Sequence, residues 1–274
     1  MWHIIKRVLL AILVAFLCFV GYILYQARSF FREPVYDTQK PDFEENIGEK
    51  GVLIFSKTNS FRHESIEAGV EAIRKLGKER GWSVYHTENG AFFNNDYLKK
   101  FKVIVFLSTT GKLFTQEQRW ALMWFMENGG GFVGIHAASD TEHGWGWYNK
   151  LMGAHFKHHT LFPQLPEAEI VIEDKLHPAT AFLPTRWKRT DEWYCFLTNP
   201  RERDSVHVLA TVDEKSYDVG VLGGMGNDHP IAWTNICEKG RVFYTAIGHT
   251  SETFSEELAL KHIAEGIEWA GKLK

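Results

Sequence analysis

The chain has 274 residues, 45% of them hydrophobic and 24% charged, with a formal net charge of -3. That length sustains one large domain with a full core or two small ones, and the near-neutral balance excludes the basic footprint of a nucleic-acid-binding protein. Cys18, Cys195 and Cys237 lie far apart with no C-x-x-C pair, which argues against a zinc ribbon or a disulfide framework and leaves only a single Cys195–Cys237 bridge open.

The first element is a membrane segment. Val8 to Tyr25 is an uninterrupted apolar run behind Lys6 and Arg7, close to the shortest helix that crosses a bilayer. Residues 4–25 are read as a signal anchor. A cleaved signal peptide is the alternative, but the small-residue cleavage site it needs is missing from the Tyr22-Ile-Leu-Tyr25 end of the run. Lys6 and Arg7 hold the amino terminus in the cytoplasm, with Arg28 and Arg32 weakening the asymmetry. The rest of the chain is therefore expected on the non-cytoplasmic side, periplasmic or extracellular. Residues 26–48, with Pro34, Pro41 and little apolar periodicity, read as a stalk, and residues 49–274 as one domain.

The domain opens with a buried strand, Gly51 to Phe55, then a polar loop and a helix from about Ser65 to Arg80 with Ile66, Val70, Ile73 and Leu76 at helical spacing. A strand from Trp82 to Thr87, a short helical turn at Asn94 to Lys100 and a strand from Val103 to Leu107 follow. Thr115 and Gln118 form a capping box for a helix through Asn128. Next comes GGGFVGIHAASD, Gly129 to Asp140, an apolar strand ending in small residues around His136. This is the composition of a sharp strand-to-helix turn that holds one side chain above the carboxyl edge of a sheet. A helical turn near Trp147 to Met152 precedes strands at Ala168 to Ile172, Asp191 to Leu197, Val206 to Val212, Ile231 to Thr234 and Arg241 to Ile247, and a helix from about Ser255 to Gly271. The pattern predicts an α/β fold with a doubly wound, mostly parallel sheet, its ligands at the carboxyl ends of the strands.

Candidate site residues sit where such a sheet places them. His136 is the apex of its turn, and Asp140, four residues on, is expected to orient it. Glu192, beside aromatic residues in DEWYCF, is expected to have a raised pKa and to act as a general acid; the neighbouring Asp191 reads more readily as a solvated charge. His249 ends the apolar strand RVFYTAIGH. His63 starts a helix, a place that tends to keep an imidazole neutral, and His229 precedes Pro230. His155, His158 and His159 raise the question of a metal. On a helix His155 and His159 would share a face, but Thr160, Phe162 and Pro163 argue against a long helix there, so no metal ligand is assigned and a divalent ion such as zinc stays open. Trp145, Trp147, Trp193 and Trp233 lie near these polar residues, and indole faces stack on sugar rings; core packing explains two or more of them equally well.

Six pieces in this order resemble the ThuA-like (trehalose utilisation) family across Gly51 to about Leu273: VLIFSKTNSFRHESI, TQEQRWALMWFMENGGGFVGIHAASD, GAHFKHH, DEWYCF, HPIAW and VFYTAIGHT. The resemblance implies the class I glutamine amidotransferase-like, flavodoxin-like fold and a role in carbohydrate metabolism, on trehalose-like disaccharides or their 3-keto derivatives. Amidotransferases of this fold need a cysteine where this chain has His136, so glutamine hydrolysis is disfavoured. The expectation is an envelope-anchored enzyme acting on a sugar or keto-sugar. His136 and His249 would serve as base or acid, Glu192 as the opposing carboxyl group and Asp140 as orienter. His63, His155, His229, Trp145, Trp193 and Trp233 would contact substrate. The alternatives are a non-catalytic module binding a sugar or a protein, and a metal-dependent hydrolase. The sequence leaves the oligomeric state open.

Overall fold

The structure is a computed structural model and describes residues 2–27 and 33–274. The apolar run forms helix α1, Trp2–Ala27. Its Trp2–Tyr22 stretch is long and apolar enough to cross a membrane and is not buried against the rest of the chain. Arg28 and Arg32, on which the expected orientation partly depends, lie outside the described residues.

The first half of the domain follows the sequence pattern: β1 (Gly51–Phe55), α2 (Ser65–Arg80), β2 (Ser83–Thr87), α3 (Asn95–Leu98), β3 (Val103–Leu107), α4 (Gln116–Glu127), β4 (Gly131–Ile135) and α5 (Gly146–Met152). The capping box of α4 forms as expected, Thr115 and Gln118 each bonding the other's main chain. The second half is β5 (Phe156–His159), β6 (Glu167–Ile172), β7 (Arg186–Thr190), β8 (Tyr194–Phe196), β9 (Val206–Asp213), β10 (Pro230–Cys237), β11 (Gly240–Thr245) and α6 (Glu257–Gly271). Three details differ from expectation. β7 is a strand that the sequence pattern does not announce, because RWKRT alternates buried Trp187 and Arg189 with exposed charges. Asp191 to Trp193 lie outside the short strand that follows them. His158 and His159 pair on β5 with β8, so the His155–His159 stretch is not helical.

Among the described residues nine strands make one sheet in the order β2-β1-β3-β4-β11-β10-β9-β6-β7, and β5 with β8 make a two-stranded ribbon. The pairs from β2 through β11 are parallel and those from β11 to β7 antiparallel. Seven of the nine strands therefore point the same way, and only β10 and β6 are reversed. This is a mostly parallel α/β sheet. Neighbouring residues of a strand face opposite sides. Leu107 packs against Gly69 of α2 and Phe243 against Gly266 of α6 on one face, while Phe106 and Phe132 meet Tyr148 of α5 on the other. With both faces covered, β1, β3 and β4 are buried at every position, as continuous apolar strands require.

The segment expected as a free stalk is, from residue 33, part of the domain. Asp37 pairs with Lys57 at 2.5 Å and accepts from the Gly90 N–H at 2.7 Å. The Phe43 ring is buried, 4.7 to 5.0 Å from the rings of Tyr85, Phe92 and Tyr97. Truncating it should leave a cavity. Phe43→Ala is expected to lower unfolding stability by about 3 kcal/mol in urea denaturation, whereas Glu44→Ala, at an exposed neighbour, should stay within about 0.5 kcal/mol. Equal, negligible effects would mean that the segment is a stalk after all.

Candidate functional site

Parallel strands bring their following loops to one edge. His63 lies in the loop after β1, His136 directly follows β4, Glu192 comes two residues after β7, and His249 four residues after β11. These four side chains each bring one ligand-type atom to within 4.8 Å of the others. His63, His136 and Glu192 are buried and His249 is partly open.

Local backbone geometry sets each of them. His136 has φ of 51°, a left-handed conformation that non-glycine residues rarely take and that clusters at functional sites. The small residues around it make the turn possible: a Cβ on Gly134 would come within 2.8 Å of Met152 and 3.0 Å of Tyr244. His136 Nδ1 lies 2.7 Å from the Ala246 carbonyl and donates to it. That fixes the ring and turns Nε2 toward His249 Nδ1 at 3.2 Å and Glu192 Oε2 at 3.3 Å. Gly248 has φ of 140°, and a Cβ there would press on Ile135 and His136 at 3.0 and 3.3 Å. Glycine is thus required for the chain to present His249 against His136.

Glu192 is the hub. Its Oε2 lies 2.9 Å from His249 Nδ1, and its Oε1 accepts from Gln164 Nε2 at 2.6 Å and sits 3.3 Å from His159 Nδ1. Burial alone would raise its pKa, but the hydrogen bonds and charges of His136 and His249 outweigh burial and hold the carboxyl well below the usual range. The expectation of a raised pKa and a general-acid role is corrected: Glu192 is a carboxylate. Burial works against the His249 cation, yet Glu192 and Asp191 raise its pKa overall. His63 is driven the other way, chiefly by burial and then by His136 and His249. It is neutral, as its place before α2 implied, but mainly for a different reason. Its Nδ1 is buried without a partner, and its Nε2 lies 3.4 Å from the Tyr194 hydroxyl.

Other expected site residues stand elsewhere. Asp140 does not orient His136; it pairs with His143 at 2.8 Å, and the Ala246 carbonyl takes the orienting place. His155 donates from Nδ1 to the Ser139 carbonyl and stacks on His143 with ring centres 4.5 Å apart. His229 lies between the Glu214 carboxylate at 2.7 Å and the Tyr194 carbonyl at 2.8 Å, so it shapes the loop behind the site. Trp193 and Trp233 are buried, their indole N–H groups bonded to the carbonyls of Pro166 and Met152, and they pack the core instead of offering a face to a sugar. Trp145 is half-buried and stacks on Trp147 under Arg119. The cysteines are free, and burial pushes the Cys195 and Cys237 thiols up to about 12 and about 11, which makes neither a nucleophile.

Sequence reasoning passed over Gln164, raised His159 only as a metal candidate on a helix, and misread Asp191. That carboxylate is fully buried. It accepts from the main-chain N–H groups of Glu192, Gly248 and His249 at 2.9, 3.1 and 3.1 Å and from Arg189 at 3.1 Å. The available signal was Arg189, two residues earlier in a strand that alternates inward and outward.

The family model for ThuA, trehalose utilisation, matches residues 51–270. The chain belongs to the ThuA family. A protein described as ThuA-like from Bacteroides uniformis ATCC 8492 is 25% identical with a TM-score of 0.69, over 84% of this chain and 95% of that one. One from Parabacteroides merdae ATCC 43184 is 19% identical with a TM-score of 0.64, over 81% and 90%. A β-galactosidase from Bacillus circulans sp. alkalophilus shares the fold, at 13% identity and a TM-score of 0.52, over 81% of this chain and 31% of that one. No curated protein matches the chain.

Two outcomes follow from this site. Asp191→Asn would leave the buried Arg189 with only the partly exposed Glu256 as counter-charge, and it should cost about 3 kcal/mol in urea unfolding and loosen His249. Burial holds His155, His177 and His262 at about 4, against about 6.5 in the unfolded chain. Between those values the unfolded chain binds more protons, so stability falls as pH drops through the window. His249, raised, acts oppositely but is one ring against three. The urea midpoint should be lower at pH 5 than at pH 7, and an unchanged midpoint would contradict the neutral-ring assignment.

Proposed function

We propose that this ThuA domain is a membrane-anchored enzyme acting on a sugar or keto-sugar, with a divalent ion such as zinc held by His63, His136, Glu192 and His249. The observation that carries the reading is the convergence of three imidazoles on one buried carboxylate. Ligands about 2.1 Å from a tetrahedral centre stand about 3.4 Å apart, and the separations around His136 Nε2, 3.2 and 3.3 Å, match that edge. The His136 ring is held through Nδ1 by the Ala246 carbonyl, in the manner of a carbonyl that orients a metal-bound histidine. A neutral His63 with an unpartnered buried nitrogen adds a donor that protons alone leave unused. Nitrogen and carboxylate ligands suit zinc and its first-row neighbours.

Such an ion would polarise a carbonyl or hydroxyl oxygen of the substrate or make a bound water acidic. The residues around it do the remaining work. Gln164 holds the second oxygen of Glu192 and keeps that carboxylate turned into the cluster. His159 donates from Nδ1 to the Thr160 carbonyl at 2.7 Å, which fixes the orientation of its ring. Partly exposed beside Glu192, it is placed to move a proton at a substrate carbon or leaving oxygen. This serves isomerisation, elimination or glycoside cleavage next to a keto group. A pure binding module would present tryptophan faces and no convergent acid–base groups, and Trp193 and Trp233 are buried. The apolar length of α1, on this reading, anchors the domain in the envelope with the site on the non-cytoplasmic side.

The full chain, purified in detergent without chelator, should carry about one divalent ion per chain by elemental analysis. His136→Ala and Glu192→Ala should lose it, together with turnover of 3-keto-trehalose followed by NMR. His159→Gln should keep the ion and lower kcat by about 10²-fold or more. A metal-free protein whose turnover survives both alanine variants would overturn the proposal.

A further inference from the structure

We propose that the carboxyl edge of the sheet, where the His63–His136–Glu192–His249 cluster opens, lies against the lipid bilayer that α1 crosses. The inference rests on the reading of α1 as an uncleaved anchor, and the partner is the membrane surface itself.

The route of the chain argues first. Where residues 33–37 join the domain, they do so at this edge. The Val35 carbonyl accepts from Asn59 Nδ2, which also donates to the Lys112 carbonyl. Asp37 takes Lys57 and the Gly90 N–H, and its carbonyl accepts from Gln118. Lys57 and Asn59 follow β1, Gly90 follows β2 and Lys112 follows β3. From there the chain runs toward the opposite edge, through Pro41 against Tyr97, to Gly48, whose N–H donates to Ser83 at the start of β2. Ala27 ends α1 and Glu33 is six residues on. Six residues reach at most about 22 Å, while a domain of this size is about 45 Å across. The tether is too short to bring any edge but this one to the membrane comfortably.

Exposed apolar side chains argue second and independently. Phe162 is 86% exposed and Val221 92%, with Leu161, Leu222 and Phe61 also open. All five are in loops at the carboxyl edge: after β1, before the reversed strand β6, and between β9 and the reversed strand β10. Leu161, Phe162 and Val221 line one shallow cavity. These tips border the cluster itself. The Phe61 ring is 4.8 Å from that of His63, and Gln164, in the loop of Phe162, donates to Glu192. Water-facing loop tips seldom gather side chains of this kind unless another apolar phase covers them. A bilayer held about 20 Å away by its own anchor supplies that phase.

The test uses the full chain in nanodiscs of phosphatidylcholine and phosphatidylglycerol containing spin-labelled lipid. Cys18→Ser removes the exposed thiol, and Cys195 and Cys237 are buried. An environment-sensitive fluorophore is attached at Phe162→Cys, at Val221→Cys, or at Lys102→Cys, an exposed position just before β3 on the opposite edge. Several-fold stronger quenching at positions 162 and 221 than at 102, with a blue-shifted emission, is expected. Equal quenching at all three, or stronger quenching at 102, would overturn the proposal. So would an intact mass from native membranes showing that the mature chain lacks α1. Metal content measured on the same samples separates the two readings: quenching without metal sinks the proposed function alone, and metal without quenching sinks only the docking face.

Discussion

The site depends on one buried carboxylate that stands outside the cluster of converging ligand atoms. Asp191 is tied to Arg189 and to three main-chain N–H groups. Two of these belong to Gly248 and His249 after β11, the third to Glu192 after β7. These strands stand at opposite ends of the antiparallel half of the sheet, so nothing in local pairing brings their loops together. Asp191 does so with charge-assisted hydrogen bonds, which are stronger than neutral ones. Without that clamp Glu192 and His249 would belong to two unrelated loops.

A second constraint is electrostatic. The region holds several histidines, and their protonation is partitioned by position. His63, His155, His177 and His262 are kept neutral by burial, which suits rings that serve as acceptors or lone-pair donors. His249 alone among these has its cationic form favoured, because Glu192 and Asp191 face it. The cluster therefore sets one carboxylate between a neutral imidazole, His63, and one whose proton it favours, His249, and a cation bound there would displace that proton.

Much of the parallel half was legible because its physics is local. Buried strands read as continuous apolar runs, Thr115 and Gln118 marked a helix start, and glycines and alanines around His136 marked a turn that only small neighbours permit. The strand after β6 was not legible: RWKRT hides Trp187 and Arg189 behind charges, and a buried arginine makes sense only once Asp191 and Glu256 are seen beside it. Sequence proximity also misled. Asp140 is near His136 along the chain but bonded to His143, while the actual orienter, the Ala246 carbonyl, is a main-chain atom that no motif can display. The roles expected for Trp193 and Trp233 failed similarly, since a tryptophan in a sheet core and one on a sugar platform have the same letter.

The docking of residues 33–48 changes where this protein begins as a folded object. The family match starts at residue 51, and a chain cut there would seem complete by its motifs. Yet the cut would strip Phe43 from Tyr85, Phe92, Tyr97 and Phe101 and bare the aromatic flank beside β2, the outermost strand. Bared rings of this kind make an apolar patch on which chains associate. The short lead-in keeps them from water, and the smallest piece that retains it starts near Glu33.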